Sequence, residues 1–370
     1  MIRTLVSVAL LLATFCAPAA RAEVSIVDDA GRTVTLAASA SHIILTDGMG
    51  FVSLALLDPH PETLLAGWNR ARMDADMLQA FRTSLPDLDQ VPDIGEPGAS
   101  GASLEQMIAL SPDLVVLDPF YNQSAAAIRA MESAGIAVAV LALTPSVRDE
   151  PPTAGLDRLG VLLGRQEKAQ AYTAFVRERL DLIRRRVISL PEEKRPAVLF
   201  EAHASQESCC MATGAGRGIG DFIGLAGGTN IGAEVIPAMA GPLSLEYILG
   251  KAPQVYIGTG GEYMAARGGL VVGSSVTDVQ AAASLRSVLS RNGFAELPAV
   301  REGRAHGLSH GLAISGINII AIEAIAAWIH PDLFSDVDPQ ATLDEIGRRF
   351  LPAPLTGIWW TSAPAAADTR

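Results

Sequence analysis

Ser103-Leu104-Glu105-Gln106-Met107-Ile108-Ala109-Leu110-Ser111-Pro112-Asp113-Leu114-Val115-Val116 returns 141 residues later as Ser244-Leu245-Glu246-Tyr247-Ile248-Leu249-Gly250-Lys251-Ala252-Pro253-Gln254-Val255-Tyr256-Ile257. In each copy a serine stands at a natural N-cap and a glutamate enters the first helical turn. A proline then stops the helix and an apolar run begins a strand. A helix–strand unit repeated at that distance is too widely spaced for a solenoid and points to two similar α/β lobes. Two lobes imply a cleft.

Around these copies the chain alternates short helices with continuous apolar strands, as expected for largely parallel sheets covered on both faces. The stretch Val24–Leu36 holds two β-rich pieces around Asp28-Asp29-Ala30-Gly31 and reads as a hairpin. From Gly155 to Ile188 apolar residues recur at helical spacing, as one long helix or two with a joint near Gly164. Lying midway between the copies, this segment reads as a spine joining the lobes. The expected fold is therefore α/β, with two Rossmann-like lobes joined by one long α-helix. The expected boundaries are a signal peptide at 1–22, an N-terminal lobe at 23–154, the spine at 155–188, a C-terminal lobe at 189–350 and a tail at 351–370. Trp359-Trp360 would leave that tail either frayed or tied down by its indoles.

Arg3, an apolar run from Leu5 to Phe15, and Ala20-Arg21-Ala22 have the form of a cleaved secretory signal. The apolar runs further on, such as Val138–Leu143 and Gly316–Trp328, are too short for a membrane span. The mature chain is thus expected to be soluble and exported, with no membrane insertion. Its formal charge, −12 for the whole chain, becomes −14 when Arg3 and Arg21 leave, which argues against nucleic acid as a partner. Once Cys16 leaves with the signal, only the adjacent Cys209 and Cys210 remain. They could form a vicinal disulfide, stay as free thiols, or contact a bound metal complex. A structural zinc site lacks a second pair of ligands.

The sequence contains no nucleophile elbow, P-loop, dinucleotide fingerprint or zinc-protease motif, and six histidines scattered along the chain build no hydrolase centre. An exported metal-dependent hydrolase is the disfavoured alternative, and no enzymatic activity is expected. Ligands of open α/β sheets bind at the carboxyl ends of the strands. The residues just beyond the strands are Trp68 and Arg70, Tyr121, the stretch from His203 to Arg217, Tyr263 and Arg267, and His310. Each has an ordinary structural explanation as well, as a solvated or packing residue. Arginines among aromatics suit an anionic, planar ligand. Glu105 and Glu246 are explained for folding by the helix dipole; exposed at the lobe tips, they would instead be matching acidic knobs for a two-fold partner.

Ile43–Leu57, Ser103–Asp118, Gly220–Asn230, Ser244–Ile257, Ala299–Arg304 and His330–Phe334, in this order, resemble the periplasmic substrate-binding proteins of iron-siderophore, haem and cobalamin ABC importers. The resemblance covers about Val24 to Leu351. It implies that one surface glutamate per lobe, here Glu105 and Glu246, pairs with arginines of a permease dimer. It implies a shallow cleft that closes only modestly because the spine resists hinging. It implies an iron chelate as cargo, a ferric siderophore first and haem with an axial Tyr or His second. The protein would have no cofactor of its own and act as a monomer. The adjacent cysteines and the Trp359-Trp360 tail depart from the common pattern.

Overall fold

A computed structural model describes residues 23–95, 103–119, 124–207 and 209–364. The expected signal segment and Tyr121 lie outside the described residues. Among the described residues no helix is long and apolar enough to cross a membrane.

The first lobe is built on a four-stranded parallel sheet in the order Leu65–Trp68, Ile43–Leu45, Leu114–Leu117, Ala137–Val140. The first three of these strands are buried at every residue, as strands covered on both faces must be. Val24–Val27 and Thr33–Leu36 pair as the antiparallel hairpin. The second lobe holds a seven-stranded mixed sheet. Its centre is parallel: Ala197–Glu201 beside Val255–Gly260 beside Ala305–Ser309. Met211–Thr213 and Ala240–Pro242 extend one side antiparallel.

Between the sheets the helical stretch divides into Ala154–Leu162 and Gln166–Val187. The joint falls at Gly164, whose φ of +65° is the left-handed conformation that commonly ends a helix. The 22 residues of the second helix span about 33 Å. It buries Ala169, Tyr172, Phe175, Val176, Leu180, Ile183 and Val187, positions that recur at helical spacing. These side chains belong to one apolar core that also takes in Ile43 and Leu114 of the first sheet and Val198, Ile257 and Leu308 of the second. The Tyr172 hydroxyl, within that core, donates to the Gly316 carbonyl at 2.8 Å.

The C-terminal segment is tied down. Trp360–Ser362 pairs antiparallel with Ala305–Ser309. Trp359 is 1% exposed, and its carbonyl accepts from Ser309 N at 2.7 Å. Truncating so large a buried side chain removes its transfer free energy and leaves a cavity. Trp359→Ala should therefore cost about 3–5 kcal/mol in urea unfolding. A loss below about 1 kcal/mol would mean that the segment contributes nothing to the core.

Candidate ligand site in the inter-lobe cleft

Three neighbouring parallel strands of the second sheet bring His203, Tyr263 and His310 to one place. Each residue lies within three positions of its strand's carboxyl end. His203 follows Ala197–Glu201 with φ of +53°, an uncommon conformation for a side chain of that size. Thr259 secures it: His203 N donates to Thr259 Oγ1 at 3.1 Å and Ala204 N to the Thr259 carbonyl at 2.8 Å. His203 Nδ1 lies 2.7 Å from Tyr263 Oη, and the His203 and His310 rings are 4.1 Å apart. His310 Nδ1 in turn lies 3.1 Å from Thr259 Oγ1.

The first lobe supplies acid to the same place. Asp74 caps the Ala75–Arg82 helix, accepting from Asp76 N and Met77 N. Asp76 Oδ2 accepts from Glu262 N at 3.0 Å across the lobe boundary. Gly311 permits this approach, because a Cβ there would stand 2.5 Å from Asp74 Cγ. Burial, reinforced by the charges of Asp74 and Glu262, lifts Asp76 to about 7. Burial and the Glu262 charge also raise Asp74, against two backbone donors. Burial and the neighbouring His203 push His310 down to about 3, and burial with the Arg267 charge lowers His203. Both imidazoles are therefore neutral at physiological pH and can serve as acceptors or metal ligands. Tyr263 is 43% exposed, yet desolvation of its hydroxyl and the charges of Asp74 and Asp76 hold its proton above the ordinary phenol range.

Other expected site residues fall elsewhere. Trp68 is fully buried, its ring 5.1 Å from Phe51 in the core, so it offers no face to a ligand. Arg70 braces a loop, donating to the Val91 carbonyl at 2.9 Å. Arg217 pairs with Asp149 at 2.6 Å, linking the lobes, and Arg267 pairs with Glu207 at 3.0 Å. Neither arginine is left to meet an anionic ligand alone, and the carboxylates of Asp74, Asp76 and Glu262 make this end of the cleft acidic. Glu105 and Glu246 are exposed, each in the first turn of a helix capped by its serine. Asp74, Asp76 and Thr259 were not foreseen, since an N-cap aspartate and a strand threonine carry no sequence mark of a site.

Cys209 and Cys210 form a vicinal disulfide. With Glu201 they are the one group of three His, Cys, Asp or Glu donors within 4.8 Å among the described residues. All three are engaged, because Glu201 is held by both Arg291 Nη atoms, at 2.7 and 2.6 Å, and by the Tyr256 hydroxyl at 2.6 Å. This buried network is structural: both Glu201 oxygens are held by Arg291 and Tyr256, and breaking it would strand a charge. Arg291→Met should therefore destabilise the protein by about 3–5 kcal/mol in urea unfolding, while a change within about 0.5 kcal/mol would contradict this assignment.

Comparison with known proteins sets this geometry in a family. The family model described as "Periplasmic binding protein" matches residues 67–309. No curated protein matches the sequence significantly. Among solved structures, the TroA-like periplasmic binding protein FepB from Veillonella parvula superposes with a TM-score of 0.80 at 26% identity, over 92% of this chain and 100% of that one. The molybdate periplasmic binding protein MolA from Haemophilus influenzae shares the fold, with a TM-score of 0.69 at 16% identity over 90% and 99% of the two chains. A periplasmic heme binding protein from Pseudomonas aeruginosa shares it with a TM-score of 0.57 at 20% identity over 89% and 99%. This chain belongs to the periplasmic binding protein family, in its TroA-like class, and is a periplasmic transport protein rather than an enzyme.

Proposed function

We propose that the protein captures a ferric siderophore in the cleft and, as a monomer, hands it to the permease dimer of an ABC importer. The observation that carries this reading is the Tyr263–His203 pair. Two donors about 2.0–2.1 Å from one metal ion and at right angles stand roughly 2.9 Å apart. Tyr263 Oη and His203 Nδ1, at 2.7 Å, are already close to that spacing. A phenolate oxygen and a neutral imidazole are both ligands of iron. They would complete the coordination of a chelate that leaves two positions open. Arg217 and Arg267 are each paired with a carboxylate, so neither adds a net positive charge to draw a highly anionic complex. A flat macrocycle wants predominantly apolar walls, so the acids around Tyr263 weigh against haem.

Coordination requires Tyr263 to release a proton that its surroundings hold tightly. Iron binding should therefore weaken as pH falls and release protons as it proceeds. Ligation by the Tyr263 phenolate should shift the visible charge-transfer band of the bound ferric chelate away from that of the free chelate. Tyr263→Phe should return the spectrum to that of the free chelate and weaken binding at least about tenfold, whereas His203→Ala should weaken binding and keep the phenolate contribution. A band untouched by Tyr263→Phe would contradict the assignment, and a large Soret shift with hemin would move the cargo to haem.

Glu105 and Glu246 are the proposed docking residues. Both are exposed, one on each lobe, in equivalent first turns. Either changed to arginine should cut transport in permease-containing vesicles by roughly tenfold while chelate affinity stays constant, because rim charges govern encounter. Full transport by the double variant would remove them from the interface.

A further inference from the structure

Thr259 fixes which nitrogen of His310 carries the proton. The threonine is fully buried, so solvent cannot take its hydroxyl proton. Its Oγ1 already accepts from His203 N at 3.1 Å, and its other neighbour is His310 Nδ1, also at 3.1 Å. Among the described residues the hydroxyl has no further partner. A buried O–H left without an acceptor is costly, so the proton goes to His310 Nδ1, which is the bare, accepting nitrogen. A neutral imidazole keeps its single N–H on the other nitrogen, and His310 therefore carries it on Nε2.

With its lone pair engaged inside the protein, His310 is a donor rather than a ligand for a metal. Its Nε2 lies on the side of the ring away from Thr259 and makes no hydrogen bond among the described residues. The ring is only partly buried. The His203 ring stands 4.1 Å away, and its own Nδ1 is turned to Tyr263 Oη at 2.7 Å. One N–H donor thus stands beside the two groups that would hold the iron.

We propose that His310 is a specificity-determining donor, its Nε2–H donating to an iron-bound anionic oxygen of the chelate that Tyr263 and His203 ligate. The inference rests on the iron-chelate reading of the cleft and adds what that chelate must present. Catecholate and hydroxamate chelators hold iron through oxygens that retain negative charge and a lone pair beside the metal. A hydrogen bond to such an oxygen is charge-assisted and among the stronger ones a protein makes. A tetrapyrrole directs every nitrogen lone pair at its metal, so the donor would be desolvated and unpaired against it. His310 thereby favours oxygen chelates over nitrogen macrocycles.

Heteronuclear NMR of the whole protein with isotope-labelled histidine, free of cargo, tests the tautomer. His310 should show a protonated Nε2 and a bare Nδ1, and the reverse would overturn the proposal. Titration with the ferric complex of a tetradentate bis-catecholate, which leaves two iron positions open, tests the donation. His310→Asn, whose amide reaches only the Nδ1 position, should weaken binding at least about tenfold. His310→Gln places an amide N–H near the Nε2 position and should regain most of that loss. Equal losses in the two variants would contradict the donor role, because neither amide replaces an imidazole ligand. Wild-type affinity in His310→Asn would contradict it as well. A wild-type protein that does not bind the complex at all would overturn the iron-chelate reading itself, and the donor's target with it.

Discussion

One apolar core running along the Gln166–Val187 helix is the constraint on which the rest of the structure depends. It joins Ile43 and Leu114 of one sheet to Ile257 and Leu308 of the other, with Tyr172 bonded to Gly316 inside it. Opening the lobes wide would expose close-packed side chains, each worth roughly 1.5–3 kcal/mol when buried. A cleft built this way must be largely preformed. Its ligand is therefore selected by donor atoms already in position more than by closure around it.

Those donors follow from the sheet. Three parallel strands end side by side, and the residues just past their ends converge without any long excursion of the chain. Thr259 serves two of them, holding the backbone of His203 and meeting the ring of His310. Asp74 and Asp76 enter from the opposite lobe because the first helix after Leu65–Trp68 ends its capping turn against Gly311 and Glu262. The result is two neutral imidazoles and a phenol beside carboxyl groups, a set of groups that differs in charge from the arginine-and-aromatic site expected from the strand-end loops.

How much of this was legible in the sequence depended on the range of the interaction. The repeated Ser-Leu-Glu units gave both capped helices and both strands, because caps, proline stops and apolar runs act over a few residues. Tyr263, His203 and His310 were legible as strand-end residues. Trp68 was misjudged for the same reason that it was noticed: the last residue of a strand can turn inward, and this one packs on Phe51. The pairing of Arg217 with Asp149 and of Arg267 with Glu207 joins residues about 60 or more positions apart, which no local pattern announces. The fate of Trp359, buried beside a strand that ends more than 40 residues earlier, was undecidable on the same ground.

The central claim is that this protein itself supplies ligands to the metal of its cargo. Anomalous diffraction at the iron edge, on crystals of the protein loaded with a ferric siderophore, tests it directly. The account predicts one iron within about 2.0–2.2 Å of both Tyr263 Oη and His203 Nδ1. An iron enclosed wholly by the chelator, beyond about 4 Å from both atoms, would contradict it.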